Sequence, residues 1–424
     1  MKSIKLCIIV SFFYILHFGN TACFADLADD IVLEGDYILS CQYLGALSDP
    51  GYGAFNNVYG NPTWVVPGEN AIAIMGLEKA SRLLGDNTYK DRAELNADYL
   101  VRIQDPGDGA WYDQYEYATA VSSEKSLRHT AEVMIAFDKL GNFTTDRYES
   151  MKKGAQFILD CQNVSNKGGL DDGLVAGGKN AQGAYHSWRW ASDNSFAYQA
   201  LQATAAWATH AGDLTYAQNI ENAAQRILAG IQNNLWVGDH WQRVIDANGN
   251  LILAENKSDW ISYAPVMLDL PVSQQGVNPE IIGEWIKQTL QTQDGAVVWD
   301  DQDHSDRKSP GYSFQAMLVW LDNLQAEYAQ DAAFWAENSG LWQKSPDSNG
   351  VSGGWIDWVD DTGIAPQWQR FIDTSSYYIM CQGIGDIRAG YDFNPVIPEP
   401  STLVLMLIGL CGVFSPYVFR QKNH

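Results

Sequence analysis

Basic residues and cysteine are both scarce in this 424-residue chain, and each shortage closes off a class of function. Lys and Arg number 27 against 51 Asp and Glu, a formal charge of −24. A surface so acidic repels phosphate backbones, so nucleic acid is excluded as a partner. Cysteine occurs six times. Cys7, Cys23 and Cys411 fall in the terminal segments, which leaves Cys41, Cys161 and Cys381 for the body. Three residues without C-x-x-C spacing make neither a full disulfide framework nor a zinc site; they read as buried helix packing. Runs of β-branched residues that would compete with helix are lacking. Also absent are a Gly-rich phosphate loop, a G-x-S-x-G elbow and an H-E-x-x-H string, the signatures of phosphate binding, serine hydrolysis and zinc proteolysis.

The two ends read as processing signals and are set apart from the fold. Lys2 and Lys5 precede an apolar run from Leu6 to Phe18, followed by Thr21, Ala22, Cys23, Phe24 and Ala25. This is the pattern of a secretory signal peptide cut after Ala25. Asn20 stands where a lipoprotein signal wants an aliphatic residue, which disfavours lipidation of Cys23. At the far end Pro398, Glu399, Pro400, Ser401 and Thr402 lead into an apolar run from Leu403 to Phe419, closed by Arg420 and Lys422. The run is long enough to cross a bilayer as one transmembrane helix, with its basic end on the cytoplasmic side. The string closely resembles the PEP-CTERM sorting signal, although Pro416 interrupts the apolar run and the basic end is thin. That resemblance implies an exosortase-type processing enzyme as partner and cleavage near Pro398 to Thr402. It also implies anchoring in the membrane before processing, then delivery to the cell surface or its exopolysaccharide matrix. The expected organisation is a signal peptide over 1–25, one body over 26–394 and a sorting segment over 395–424.

Within the body a helix end followed by Gln recurs. Tyr37-Ile38 precede Gln42, Tyr99-Leu100 precede Gln104, Phe157-Ile158 precede Gln162, Ile227-Leu228 precede Gln232 and Ile286 precedes Gln291, with a looser copy at Gln343. The spacing is about sixty residues, the mark of a repeat architecture. After each Gln comes a loop rich in Gly, Asp and Trp, then a helix-period run such as Asn70 to Leu84, then a short Gly-containing turn like L-G-D-N-T-Y at 84–89. Two helices per repeat and six repeats predict an all-α (α/α)6 toroid of about twelve helices. The Gln-ending helices lie outside, the other set inside, and all long loops gather on one face. The first helix (about 28–42) and the last (about 368–388) are left to pair and close the ring.

Tyr99-Leu100, Gln104, Gly109 and Trp111 resemble the QW repeat of triterpene cyclases, and Phe157-Ile158, Gln162, Gly168 and Leu170 resemble it with Leu for Trp. The resemblance implies that Gln tethers a helix end over an aromatic, a structural duty. The toroid also resembles the six-hairpin glycosidases. A cyclase itself is disfavoured by the export signal and by Asp300-Asp301-Gln302-Asp303, whose order is D-D-x-D and not D-x-D-D.

Trp64, Trp111, Trp188, Trp190, Trp236, Trp241, Trp299, Trp355 and Trp358, nine of sixteen, fall in the long loops, where flat rings suit the apolar faces of sugars. Trp111, Trp299 and Trp355 are explained by the repeat; Trp188, Trp190, Trp241 and Trp358 are not. Glycoside cleavage needs two carboxyls, one of them the acid. The pairs Asp171-Asp172, Asp300-Asp301 and Asp360-Asp361 are obvious candidates, but Asp113, Asp171, Asp300 and Asp357 follow the repeated position and read as loop tethers. Unique polar residues opening the inner helices are the better choice. Glu69, Asp193 and Asp259 are the candidate acid and base. Asn70, His129, Trp188, Arg189, Trp190, Trp358 and Arg370 are candidates for substrate binding, beside Arg128, Asn194 and Asp373. An N-cap duty competes for Asp193 and Asp259. The run Asp301 to Asp306 offers alternate oxygen ligands for calcium but lacks the Gly and distal Glu of an EF-hand. The functional expectation is an exported glycoside hydrolase acting on an exopolysaccharide. The alternatives are a polysaccharide lyase, with His129 or a Tyr as base and Arg189 or Arg370 as cation, and a non-catalytic carbohydrate-binding or matrix protein.

Overall fold

The computed structural model describes residues 28–57, 64–253, 264–268, 270, 279–322, 325–360, 363–364 and 370–382. The segments expected as signal peptide (1–25) and sorting signal (395–424, with Pro398, Glu399 and Pro400) and the residue Asp259 lie outside the described residues, and no described helix is long and apolar enough to cross a membrane.

Among the described residues, α1 (28–40), α3 (Asn87–Ile103), α5 (Thr145–Asn163), α7 (Leu214–Gly230), α9 (Pro279–Thr289) and α11 (Ala326–Asn338) are the Gln-side helices. Alternating with them are α2 (Pro67–Leu84), α4 (Leu127–Leu140), α6 (Ala191–His210), α8 (Ala264–Met267), α10 (Pro310–Asp322) and α12 (Ile372–Cys381). Each of this second set packs on the next, and α12 returns to α2, so they form a closed inner ring with the other set against its outside. The fold is the (α/α)6 toroid. Its chemistry follows burial: α6 is buried on every face from Ala191 to Leu201, whereas α3 buries only a stripe through Tyr89, Ala93, Ala97 and Leu100. The short turns end one helix and start another. Gly85 and Gly141 take left-handed backbone (φ 68° and 70°), after which Asp86 caps Thr88 N–H at 2.8 Å and Thr144 caps Arg147 N–H at 3.3 Å.

The Gln residues staple the outer layer. Gln42 Nε2 donates to Gly53 O in its own loop and to Arg92 O of α3, both at 3.0 Å; Gln104 reaches Gly109 O and Ser150 O of α5, and Gln162 reaches Gly173 O and Ala223 O of α7. Gln291 does the same with Gly295 O and Tyr328 O of α11. Gln343 departs from the pattern, donating to Ser345 O. The glycine beside each staple is obligatory. Gly53, Gly109, Gly173, Gly295 and Gly353 all have positive φ, and a side chain there would strike the backbone carbonyl of Leu95, Lys153, Arg226, Asp331 or Leu33 in an outer helix. The last contact is made to α1, and it closes the ring. Tyr37 of α1 also donates to Arg370 O, and Glu34 accepts from Trp342 Nε1 and Gly354 N.

Two expectations change. The third repeat's glycine is Gly173 and its apolar partner Val175, not Gly168 and Leu170: Leu170 is 61% exposed and a side chain on Gly168 would meet open space. Short antiparallel strands decorate the loops, among them Trp188–Trp190 paired with Val244–Asp246 and Arg370–Phe371 with Trp355–Ile356. Cys41, Cys161 and Cys381 are buried thiols.

Candidate active site

The first turns of the inner helices are built to a plan. The fourth residue of four of them catches the loop behind it: Asn70 accepts from Phe55 N, Thr130 from Trp111 N, Asn194 from Val175 N and Ser313 from Val297 N. Asn70 is fully used, also accepting from Asn96 and donating to Phe55 O and Val66 O. Its amide oxygen and nitrogen are both occupied within the frame, where the sequence suggested substrate binding. A second repeated feature is a cation two residues before an inner helix. Lys125 pairs with Asp105 and Asp108, Arg189 with Asp171, Lys308 with Asp294 and Arg370 with Asp347. Arg189 is 2% exposed, grips Asp171 through both Nε and Nη2, and gives Nη1 to carbonyls of His186 and Trp188. Arg370 likewise holds Gly353 O at 2.6 Å. Both Arg residues, suggested by the sequence as ligand-binding cations, fasten loops here.

The second and third positions are the ones that vary: Glu69 on α2, Arg128 and His129 on α4, Asp193 on α6, Tyr312 on α10 and Asp373 on α12, with the charge of Arg128 acting on Glu69, His129, Asp193 and Asp373. Glu132, one turn further into α4, accepts from Arg128 Nε at 2.7 Å. Asp113 and Asp357 join from the loops. A side chain on Gly68 would collide with Glu132 and His129, which sets those groups against the first turn of α2. Burial raises the pKa of every one of these carboxyls. It carries Asp193 to about 7 against the opposing pull of Arg128, Asp357 to about 7 with the charge of Asp373 adding, and Asp113 to about 6. Glu69 is pushed well above its ordinary range by burial and then by Asp373 and Glu132. Glu132 and Asp373 are raised by burial, Arg128 opposing in both. His129 is driven down to about 3 by burial and by Arg128, so its imidazole is neutral. Its Nδ1 stands 3.8 Å from Asp113 Oδ1, and neither atom has a hydrogen-bond partner among the described residues.

Aromatic rings flank this cluster. Trp188 is half-buried, stacked on His186 at 4.2 Å with Trp190 edge-on at 6.4 Å. Trp188 and the Asp193 carboxyl meet over Gly177, where a side chain would strike both. Arg243 lies over Trp190 at 5.1 Å and Arg307 over Trp358 at 4.7 Å. Trp241 is buried and belongs to the frame, tilted against Trp236 at 4.7 Å. A carboxyl whose pKa lies near 7, beside a flat ring, can deliver a proton to an oxygen held on that ring.

Solved structures share this architecture. Cellobiose 2-epimerase from Bacillus thermoamylovorans superposes with a TM-score of 0.60 at 10% identity, covering 84% of this chain and 99% of that one. A D-mannose isomerase gives 0.62 at 11%, with 84% and 96% covered, and a glycosidase in complex with glucose gives 0.60 at 11%, again 84% and 96%. At such identities the likeness is one of fold. No family model matches the chain, and no curated protein matches it.

Among the predicted site residues, Glu69, His129 and Asp193 all feel the charge of Arg128, Trp188 meets Asp193 over Gly177 with Trp190 edge-on to it, and Trp358 lies under Arg307. Reading from sequence missed Glu132; it assigned Asp113 and Asp357 to tethering, and Asp113 does accept a bond from the Ser126 backbone while its Oδ1 has no partner among the described residues. Asp171 and Asp300 are indeed tethers; Asp300 binds Gln302 N, His304 N and the His304 ring. That turn organises the 301–306 run, and no group of three or more His, Cys, Asp or Glu among the described residues is placed to hold a metal ion. The available signal for Glu132 was a carboxylate in the apolar run A-E-V-M-I-A-F of an inner helix.

Proposed function

We propose that the chain is a carbohydrate-active enzyme that cleaves glycosidic bonds, with Asp193 as general acid and Asp373 as the base or nucleophile. The observation that carries this reading is positional. In a ring of six inner helices, α6 and α12 are diametrically opposed, and Asp193 and Asp373 stand in the first turns of these two helices. Asp193, with its pKa near 7, keeps a proton to give. Burial raises the pKa of Asp373 as well, but the bond its Oδ1 accepts from Thr374 N at 2.7 Å and the charge of Arg128 oppose that rise. Trp188 supplies the stacking face for the sugar on the acid's side. The substrate of the reading is an exopolysaccharide met outside the cell, a location and partner set inferred from the terminal signals.

The test is release of reducing sugar by the purified full chain from a panel of polysaccharides. Asp193→Asn and Asp373→Asn should each lower kcat by at least about a hundred-fold, the scale of one lost acid or base, with the fold intact. Wild-type-like rates in either variant remove that residue from the reading. A second reading has its own observation: a neutral His129 facing Asp113 is suited to take a proton from a carbon next to a carbonyl, which would be epimerisation or isomerisation of a reducing-end sugar. Incorporation of solvent deuterium into recovered sugar, lost in His129→Gln, separates it from hydrolysis.

A further inference from the structure

One cation of the loop face is held differently from the others around it. Lys125, Lys179, Arg189, Lys308 and Arg370 each grip a carboxylate. Arg307 grips none: among the described residues its guanidinium makes no hydrogen bond or ion pair. It lies instead over two indole rings, 4.7 Å from the centre of Trp358 and 5.6 Å from that of Trp299. The backbone puts it there. Lys308 bridges to Val298 on one side and to Val359 on the other, and Trp299 N donates to Arg307 O at 2.7 Å. Side chains alternate along such extended pairings, so Lys308 turns to Asp294 and Arg307 to the opposite face. Tyr312, in the first turn of α10, meets Trp299 edge-on at 5.4 Å. The clamped guanidinium therefore stands on the α10 side of the ring's mouth, the end where the inner helices begin.

We propose that Arg307 is an anion anchor, its planar fork taking the carboxylate of a uronic-acid unit in the polysaccharide chain that the enzyme cleaves. The proposal rests on the carbohydrate reading above and names its substrate class. A guanidinium lying on aromatic faces keeps its N–H donors for partners in its own plane, and paired donors match the two oxygens of a carboxylate. The rings also hold the side chain in place beforehand, so less freedom is lost when the anion binds. Asp357, which precedes Trp358, feels the charge of Arg307 but forms no ion pair with it. Burial and the charge of Asp373 keep the pKa of Asp357 at about 7, so below that pH it is mostly protonated and competes little for the fork.

Calorimetric titration of the purified full chain at pH 6 and low salt tests this with matched ligands. These are oligosaccharides of polygalacturonate, alginate and glucuronan, each beside its carboxyl-reduced counterpart, in which the carboxylate has become a hydroxymethyl group. At least one acidic form should bind about ten-fold or more tighter than its reduced counterpart, and added salt should shrink the difference. In Arg307→Met the preference should fall to about two-fold or less. Arg307→Lys, which keeps the charge without the paired donors, should hold an intermediate preference. Equal or tighter binding of every reduced form overturns the proposal and leaves the carbohydrate reading standing; binding of none of the six ligands overturns both. A preference retained in full by Arg307→Met, or by Arg307→Lys if the first variant does not fold, assigns the carboxylate to another group and also overturns the proposal.

Discussion

Glu34 ties the first helix to the last loop, and its titration should be visible as a loss of stability with rising pH. The carboxyl is fully buried, with Oε1 accepting from Trp342 Nε1 at 2.6 Å and from Gly354 N at 3.1 Å. Burial raises its pKa from 4.5 to about 7, outweighing bonds from Ser375, Trp342 and Gly354 that favour the anion. The direction fixes the sign. Between pH 4.5 and 7 the unfolded chain has released this proton while the folded chain keeps it, so folding is penalised increasingly as pH rises through that window. A shift of about 2.5 units at 1.36 kcal/mol each comes to about 3 kcal/mol, fully present above pH 7 and absent below pH 4.5. Glu34→Gln keeps an acceptor oxygen for Trp342 and Gly354 but does not titrate. Because Asp193, Asp357 and Asp113 are raised into the same range, only the difference between the two proteins isolates Glu34. Urea unfolding followed by Trp fluorescence at pH 5, 6, 7 and 8 should show the variant gaining about 3 kcal/mol on the wild type across the series. Parallel stability profiles would refute the reasoning.

Other consequences follow from the frame and the mouth. Gly109→Ala places a methyl group at φ 78° against Lys153 O and should cost on the order of 2–3 kcal/mol, measured by chemical unfolding. Arg189→Ala strands the buried Asp171 and should cost about 3–5 kcal/mol, whereas loss of both partners in Arg189→Met with Asp171→Leu should recover much of that in the same assay. Gln162→Ala removes two backbone-directed bonds, one to each side of a hairpin junction, and should cost about 2 kcal/mol while kcat stays unchanged. With Asp193 required in protonated form and its pKa raised to about 7, hydrolysis should decline as pH rises through about 7, and a profile rising through that range would contradict the assignment.

The toroid was legible because its period is carried by residues doing identical work in successive copies. Gln42, Gln104, Gln162 and Gln291 each bridge a loop to the next outer helix, so they recur. The glycine that meets that helix is harder to find: in G-G-L-D-D-G-L at 168–174 three glycines are on offer, and only contact with Arg226 O singles out Gly173. Lys125, Arg189, Lys308 and Arg370 escaped notice as a set because the carboxylates they pair with lie 14 to 23 residues away along the chain. Arg189 and Arg370 therefore resembled free cations near a site. Asp113 and Asp357 have the same sequence surroundings as the true tethers Asp171 and Asp300. What differs is the wall they face, which depends on how each loop folds back over the ring.

The central claim is that two carboxyls on opposed helices, Asp193 and Asp373, act on a sugar between them. The most direct measurement is single-turnover cleavage of a polysaccharide by the purified full chain beside Asp193→Asn and Asp373→Asn, with an activated aryl glycoside as a second substrate. The account predicts that Asp193→Asn loses polysaccharide cleavage but keeps turnover of the activated glycoside, whose leaving group needs no proton, and that Asp373→Asn loses both. Equal loss on both substrates in Asp193→Asn, or full activity in Asp373→Asn, would contradict it.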